Sequence, residues 1–304
     1  MTHPLLVLDG GMSRELLRLG APFAQPEWSA LALLEAPAFV QDVHAAFIAA
    51  GADVITSDSY ALVPFHIGED RFRARAQELA ALAGRLARQA VQASGKAVRV
   101  AASLPPLFGS YRPDLFDATR APEIARPLID GQAPYADLWL AETQSSIAEV
   151  RTLHALTARD RPFWASFTLE DGRPTAMPQL RSGEPVALAV ALALELHLDA
   201  LLFNCSHPEV MTTAIATARA ALDAARSPMR LGVYANAFAA HGADEEALPA
   251  NDGLDDIRAD LTPAAYGDWA KRWRAAGADI IGGCCGVGAA HIAAIAEWRD
   301  AVQP

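Results

Sequence analysis

The sequence predicts a single α/β domain over residues 1–304, folded as a (β/α)8 barrel. Eight short apolar runs alternate along the chain with longer segments of helical periodicity. Most of the short runs are almost continuously hydrophobic, as expected of parallel strands that are buried on both faces. A length of 304 residues with 52% hydrophobic residues suits one large core, and α/β barrels commonly reach this size as one domain.

The predicted strands leave room for a helix between each pair. In chain order they are LLVLDG (5–10), ADVITSD (52–58), VRVAASL (98–104), ADLWLAET (136–143), PFWASFTL (162–169), ALLFNC (200–205), MRLGVYAN (229–236) and ADIIGGCC (278–285). Alternation of this kind builds a parallel sheet with helices packed against it. A doubly wound open sheet is the alternative, and the count of eight strands favours the barrel.

Four intervening segments show helical spacing of apolar residues, namely 36–51, 72–95, 185–198 and 262–277. Three of them end in glycine, at Gly51, Gly95 and Gly277, and Pro263 stands at the start of the last. Proline at the first turn and glycine just after the last are typical of helix ends. Two longer loops are predicted, at 105–117 after the third strand and at 241–260 after the seventh.

The composition argues against several classes of partner. The net charge is −11, and no cluster of lysine and arginine falls on a predicted helix face, which disfavours nucleic acid and anionic membrane as partners. No apolar run approaches the roughly 20 residues that span a bilayer, and the N-terminus lacks the basic region of a signal peptide. We therefore expect a cytoplasmic protein. Its three cysteines, an odd number, then argue against a disulfide framework.

Polar residues and all three cysteines fall at the predicted carboxyl ends of strands. They are Asp9 on the first strand, Ser57 and Asp58 on the second, Glu142 and Thr143 on the fourth, Asn204 and Cys205 on the sixth, and Cys284 and Cys285 on the eighth. These strand ends meet at one rim of a barrel, where the active sites of such enzymes lie. The sequence thus predicts a functional site at this rim.

Three thiols on one rim form a ligand set for a borderline-soft metal, and zinc fits best. Adjacent residues of a strand point to opposite faces, so Cys284 and Cys285 can reach one ion only where the strand ends and the backbone bends. The glycines that flank the pair make such a bend sterically accessible. Two other interpretations remain: cysteines as small buried apolar residues, and a redox pair, although a disulfide between sequence neighbours is strained.

Six blocks of the sequence together resemble the zinc-dependent homocysteine S-methyltransferases. In order they read LDGGMSREL, EWSALALLEAP, AGADVITSDSYA, ADLWLAET, LLFNC and GGCCGVGAAHI. That family includes enzymes that use S-methylmethionine, S-adenosylmethionine or betaine, and the homocysteine module of cobalamin-dependent methionine synthase. The resemblance covers essentially the whole chain, and NC combined with GGCC is its most specific part. It implies a (β/α)8 barrel, in agreement with the strand count.

The resemblance implies that Cys205, Cys284 and Cys285 bind Zn²⁺ and that the homocysteine thiol takes the fourth position. Asp9 and Glu142 match the acidic residues that hold the ammonium group of the substrate. Read without the resemblance, Asp9 is a turn residue and Glu142 a helix-start or buried polar residue that would need a cationic partner.

Three further residues are candidates for contacts around the substrate carboxylate. The backbone amides of Gly10 and Gly11 and the hydroxyl of Ser57 could donate hydrogen bonds to it. Asn204 would orient the loop that carries Cys205.

The methyl-donor side is less well defined by the sequence. Aromatic faces recognise onium cations, and Trp28 matches a donor-site tryptophan of the betaine branch; it could equally be a buried anchor. Tyr60 and Phe108 lie on neighbouring predicted loops. Asp58 interrupts a block that commonly reads TNTY, and an extra carboxylate there would suit a cationic donor. Arg14, where the family usually has threonine, and Asn236, where a Pro-Asn-Ser run is typical, are further departures.

These observations predict a zinc-dependent S-methyltransferase that moves a methyl group from a small onium donor to homocysteine and so forms methionine. S-methylmethionine and S-adenosylmethionine are the favoured donors. We expect a monomer or small homo-oligomer with no nucleic-acid or membrane partner. One alternative keeps the zinc–thiolate chemistry with a betaine-like donor or another thiol or selenol acceptor. The other is a non-catalytic barrel that binds homocysteine or zinc.

Overall fold

Eight parallel strands form a closed barrel in the computed structural model, which describes residues 3–172, 177–239 and 257–303. The strands are β1 Leu6–Val7, β2 Val54–Thr56, β3 Arg99–Leu104, β4 Leu138–Gln144, β5 Phe163–Phe167, β6 Ala200–Asn204, β7 Arg230–Ala235 and β8 Ile280–Gly283. Each strand pairs with its sequence neighbours, and β1 also pairs with β8. A parallel bridge between Leu8 and Val54 closes the ring between β1 and β2. The predicted (β/α)8 barrel is confirmed, and the open doubly wound sheet is wrong.

At least one helix follows every strand. In the described ranges the helices are α1 Met12–Arg18, α2 Ser29–Glu35, α3 Pro37–Ala49, α4 Pro64–Ile67, α5 Glu69–Ser94, α6 Ala121–Gln132, α7 Ile147–Leu156, α8 Val186–Glu195, α9 Pro208–Ala224, α10 Pro263–Ala276 and α11 Ala289–Val302. The four predicted helical segments correspond to α3, α5, α8 and α10. The short helices α1, α2 and α4 are additions to the eight-helix ring, and α1 and α2 contact α3.

Helix ends follow the sequence signals. Helices α5 and α10 stop at Gly95 and Gly277, which have positive φ angles of 64° and 115°. Only glycine adopts this left-handed conformation without steric cost. At the start of α10, the hydroxyl of Thr262 accepts a hydrogen bond from the backbone N–H of Ala265, and Pro263 occupies the first turn.

The core has two layers. Large apolar side chains fill the inside of the barrel, among them Leu138 and Leu140 of β4 and Trp164 of β5. Residues of opposite parity, such as Trp139, pack outward against the helices. Because the inside is filled by side chains, ligands can reach the barrel only at its ends.

A repeated aspartate ties the strands together at the amino-terminal end of the barrel. Asp53, Asp137, Asp199 and Asp279 immediately precede β2, β4, β6 and β8. Each carboxylate accepts a hydrogen bond from a backbone N–H at the preceding odd strand, at N···O distances of 2.8, 2.7, 2.9 and 3.3 Å respectively. This repeat is visible in the sequence and indicates that the opposite end of the barrel has a structural role.

The two predicted long loops have different outcomes. Segment 105–117 follows β3 as predicted and contains one 3-10 turn, Pro113–Leu115. Most of segment 241–260 lies outside the described residues; where the chain is described again, Ile257 forms an antiparallel bridge with Phe238. Among the described residues, no helix combines the length and apolar character that crossing a membrane requires.

Candidate metal and substrate site

A cavity at the carboxyl-terminal mouth of the barrel gathers almost all of the predicted site residues. Its lining includes Asp9, Gly10, Gly11, Trp28, Ser57, Asp58, Tyr60, Glu142, Cys205, Cys284 and Cys285. Asn204 and Phe108 are not part of this lining. The loops after β1, β2, β4, β6 and β8 therefore converge on one volume, as the strand-end pattern predicts.

Cys284 and Cys285 lie where the strand pairing of β8 gives way to a tight turn. The N–H of Cys284 still donates to the carbonyl of Ala235 at 2.9 Å, and the carbonyl of Cys285 accepts from the N–H of Ala237 at 2.8 Å. Gly286 follows with a φ of 81°, a turn conformation that a β-carbon would strain. Strand alternation is thereby broken, and the two adjacent Sγ atoms lie 4.0 Å apart.

Cys205 completes a cluster of three sulfur atoms. It follows β6 with a positive φ of 50°, and its Sγ lies 3.8 Å from that of Cys285. The three Sγ atoms all lie within 4.8 Å of one another, and no other such group of ligand residues occurs in the described ranges.

The structure joins Cys205 and Cys284 in a disulfide, which corrects the expectation of three reduced thiols. The objection to a bond between sequence neighbours does not apply, because these residues are 79 positions apart and belong to the ends of different strands. Cys285 is not part of this bond, and its Sγ lies beside both of the bonded sulfur atoms.

The geometry of the cluster fits a tetrahedral thiolate site. Ligands at the usual Zn–S distance of about 2.3 Å stand about 3.8 Å apart at the corners of a tetrahedron. The Sγ of Cys285 is already 3.8 Å from one partner and 4.0 Å from the other. If the bond between Cys205 and Cys284 is reduced and their Sγ atoms move apart to the same distance, the three Sγ atoms form one face of the tetrahedron.

Two carboxyl groups line this cavity, the buried Asp9 and the half-buried Glu142. Asp9 accepts hydrogen bonds from the backbone N–H of Thr56 at 2.6 Å and from its hydroxyl at 3.1 Å. Glu142 accepts one from the hydroxyl of Ser103. Burial raises the pKa of Asp9 to about 8, with a smaller contribution from the charge of Glu142, and raises the pKa of Glu142 to about 7.

Thr56 and Ser103 were not singled out in the sequence. Both are polar residues near the ends of otherwise apolar strands, the signal that identified the other site residues. On the second strand the signal was limited to Ser57 and Asp58, directly after Thr56, and it was not applied to the third strand, which contains Ser103.

Ser57 and Gly11 are placed differently from the prediction. The hydroxyl of Ser57 donates to Oε1 of Gln132 at 2.5 Å and accepts from the backbone N–H of Ser103 at 3.1 Å. The N–H of Gly11 donates to the carbonyl of Val287 at 2.9 Å. Both donors are thus engaged within the protein, and a substrate carboxylate would have to displace these bonds. Gly11 instead lets the β1 end pack against the backbone of Cys284, where a β-carbon would not fit.

Asn204 holds two functional strand ends together. Its Oδ1 accepts from the backbone N–H of Thr143 at 3.0 Å, and its Nδ2 donates to the hydroxyl of Thr143 at 2.9 Å. Thr143 has a φ of 59°, an unfavourable conformation for a β-branched residue. Asn204, which precedes Cys205, therefore holds Thr143, which follows Glu142. This arrangement fits a role in orienting the site rather than in contacting the substrate.

The donor-side candidates Trp28, Asp58 and Tyr60 line the same cavity. The indole Nε1 of Trp28 is buried with no hydrogen-bond partner in the described ranges, and the Trp28 ring packs edge-on against Phe23. The hydroxyls of Tyr60 and Ser110 are hydrogen-bonded at 2.7 Å. Phe108 packs against Phe116 away from the cavity, so the structure does not support it as a donor contact.

Comparison with known proteins decides the family. The family model for homocysteine S-methyltransferases matches residues 6–299.

This chain belongs to the homocysteine S-methyltransferase family.

Relatives of the same name span nearly the whole chain. A homocysteine S-methyltransferase of Escherichia coli is 30% identical over 314 residues, covering 96% of this chain and 94% of its own. Homocysteine S-methyltransferase 1 of maize is 28% identical over 319 residues, covering 96% and 93%.

The solved structure of the E. coli homocysteine methyltransferase MmuM in a metallated form shares the fold. It superposes with a TM-score of 0.76 at 28% identity, over 97% of this chain and 96% of the other. An oxidised form of the same enzyme gives the same TM-score at 27% identity. This homocysteine S-methyltransferase family member is therefore an enzyme of the methyl-transferring class.

Proposed function

We propose that this protein transfers a methyl group from a sulfonium donor to the sulfur of homocysteine, using a zinc ion held by Cys205, Cys284 and Cys285. The observation that carries this proposal is the three-sulfur cluster, which shares one cavity with the carboxyl groups of Asp9 and Glu142. A metallated relative of the same fold supports it.

Zinc would supply a fourth coordination position at which a thiol becomes a thiolate near neutral pH. The three cysteines provide the soft, anionic ligand set that favours zinc over harder ions. Because three thiolates outweigh the charge of the ion, a substrate sulfur held among them stays electron-rich. No separate general base is needed for the displacement.

Asp9 and Glu142 would hold the ammonium group of homocysteine. Each lies at the end of a different strand, and a cation between them relieves the cost of ionising two partly desolvated carboxyl groups. Thr56 and Ser103 fix the carboxyl orientations through the hydrogen bonds described above.

The remaining cavity would place the donor methyl in line with the acceptor sulfur. In the displacement the new S–CH₃ bond forms as the donor S–CH₃ bond breaks, and the donor leaves as a neutral thioether. The face of Trp28 offers a surface for the sulfonium cation. Orientation of the two reactants can supply much of the rate.

Replacement of Cys285 by alanine tests the metal site. We expect Cys285→Ala to lose stoichiometric zinc and at least about 1,000-fold of methionine formation, because two thiolates cannot hold the ion in the required geometry. Zinc is measured by metal analysis of reduced protein, and methionine by mass spectrometry with homocysteine and S-methylmethionine, S-adenosylmethionine or betaine. The chain has no cysteine outside the cluster, so Ser94→Ala, on the outer helix α5, serves as the control. Retention of both zinc and activity in Cys285→Ala would contradict the proposal.

A selenol acceptor is a second candidate. A stretch of 54 residues is 46% identical to a selenocysteine Se-methyltransferase of Brassica oleracea, covering 18% of this chain. Parallel assays with homocysteine and selenocysteine separate the two acceptors.

A non-catalytic binding protein is the remaining alternative, and it would bind homocysteine without removing a methyl group from any of the donors. One domain, a cytoplasmic location and a monomer or small homo-oligomer remain proposals from the sequence.

A further inference from the structure

Asp58 lines the active-site cavity and has a buried carboxylate oxygen without a hydrogen-bond partner among the described residues. The residue follows β2, is only 4% exposed and lines the cavity. Its Oδ2 atom is buried and has no hydrogen-bond partner in the described ranges. Ser29 interacts with the same carboxyl group but leaves this oxygen unpaired. A buried carboxylate oxygen without a donor is unfavourable, which makes the position receptive to a ligand.

The chemistry of that ligand follows from the oxygen. A carboxylate accepts hydrogen bonds and attracts positive charge, so its best partner is a cation that carries N–H groups. A primary ammonium meets both requirements. A fully alkylated onium group meets only the second, because it has no hydrogen to donate.

Asp58 lies on a different loop from the carboxyl pair assigned to homocysteine. It follows β2, whereas Asp9 follows β1 and Glu142 lies in β4; burial raises the pKa of Asp58 to about 6, and the hydrogen bond with Ser29 opposes this shift. Ser29 is the first residue of α2 and follows Trp28 directly, and both residues line the same cavity as Asp58. One cavity therefore contains two distinct positions for an amino group.

We infer that Asp58 binds the primary ammonium group of the methyl donor and thereby selects amino-acid sulfonium compounds over donors that lack an N–H. This inference rests on the proposed function, since it assigns the second amino position to the donor. S-methylmethionine and S-adenosylmethionine carry such an ammonium group, and betaine does not.

Two ligands that differ only in the amino group test the inference. S-methylmethionine and 4-(dimethylsulfonio)butanoate share the sulfonium and the carboxylate, and only the first has the ammonium. Their binding to reduced, zinc-loaded protein is measured by calorimetry with saturating 2-aminobutanoate, which is homocysteine without its thiol and fills the amino-acid position of the acceptor. The variants are Asp58→Asn, and Asp58→Ser in case the asparagine variant folds poorly. Asp70→Asn on the outer helix α5 removes one fully exposed charge and is the control.

We expect wild-type protein and Asp70→Asn to bind S-methylmethionine at least tenfold more tightly than the deaminated compound, and Asp58→Asn to lose most of this difference. The affinity for 2-aminobutanoate should be the same in all of them. The inference is overturned if wild-type protein does not discriminate, if Asp58→Asn still does, or if Asp58→Asn weakens 2-aminobutanoate instead. Because no turnover is required, the result stands even if no methionine is formed, an outcome that would refute the proposed function alone.

Discussion

Asp9 and Glu142 show how a barrel mouth changes the chemistry of ordinary residues. Their residue types and positions at strand ends were readable from the sequence, and so were the three cysteines. Their protonation was not, because the raised pKa values come from burial by loops that are distant in sequence. The same holds for Ser57, whose hydroxyl looked available until the fold placed Gln132 beside it.

The raised pKa values predict a pH-dependent affinity for the amino-acid substrate. Both groups are largely protonated below pH 7 in the ligand-free site, and an ammonium ligand requires them ionised. We therefore expect methionine, used because it has no thiol, to bind more tightly as pH rises from 6 to 8, several-fold per pH unit and with proton release. Calorimetry in buffers of different ionisation enthalpy measures this. Asp9→Asn and Glu142→Gln should each flatten the profile, and a pH-independent affinity would contradict the assignment.

The raised pKa values of Asp9 and Glu142 also make the stability of the fold depend on pH. In the unfolded chain these carboxyls ionise near pH 4, whereas in the folded protein they keep their protons to about pH 7 or 8. Their contribution to the free energy of unfolding therefore falls as pH rises through this window.

At the scale of elements, the two ends of the barrel have different tasks. The carboxyl ends of the strands bear the site, and the amino ends carry the aspartate repeat that links neighbouring strands. Asp279 is the most heavily paired of these aspartates: Arg219 and Arg274 contact its carboxylate at 2.8 and 3.0 Å. Asp53 makes one such contact, with Arg299, and its side chain is 35% exposed.

Asp279→Ala should therefore destabilise the protein more than Asp53→Ala. Removing a buried carboxylate leaves two partly buried arginines uncompensated, and we expect a loss of about 3 kcal/mol in the free energy of unfolding. For the more exposed Asp53 the expected loss is about 1 kcal/mol. Urea unfolding followed by circular dichroism measures both. Equal losses, or the reverse order, would show that burial of the ion pairs does not determine how much each aspartate contributes to the free energy of unfolding. Methionine affinity should not change, since both residues lie at the end opposite the site.

At the scale of the whole molecule, the continuous ring of strands predicts cooperative behaviour. Both core layers, the inside of the barrel and the space between strands and helices, contain residues from strands all around the ring. No part of the described fold therefore has a separate core. The proposed metal site links the ends of β6 and β8, which are far apart in the sequence.

We expect a single thermal transition, consistent with one domain, and a shift of that transition when zinc is added to reduced protein. Because zinc would bind only the folded cluster, the midpoint should rise by at least about 4 °C. Differential scanning calorimetry measures the transition, and Cys285→Ala should show no rise. Two separate transitions, or an equal rise in the variant, would contradict the prediction.

The sequence by itself determined the (β/α)8 barrel, the helices α3, α5, α8 and α10, and the clustering of the three cysteines at one end of the barrel. It could do so because buried parallel strands, helix ends and strand-end polar residues leave periodic, local signals. Only the tertiary structure decided which donors are already engaged, such as Ser57 and Gly11, and which acceptor is left unpaired, Oδ2 of Asp58. Hydrogen-bond satisfaction and burial depend on residues brought together from distant parts of the chain, and no local pattern encodes them.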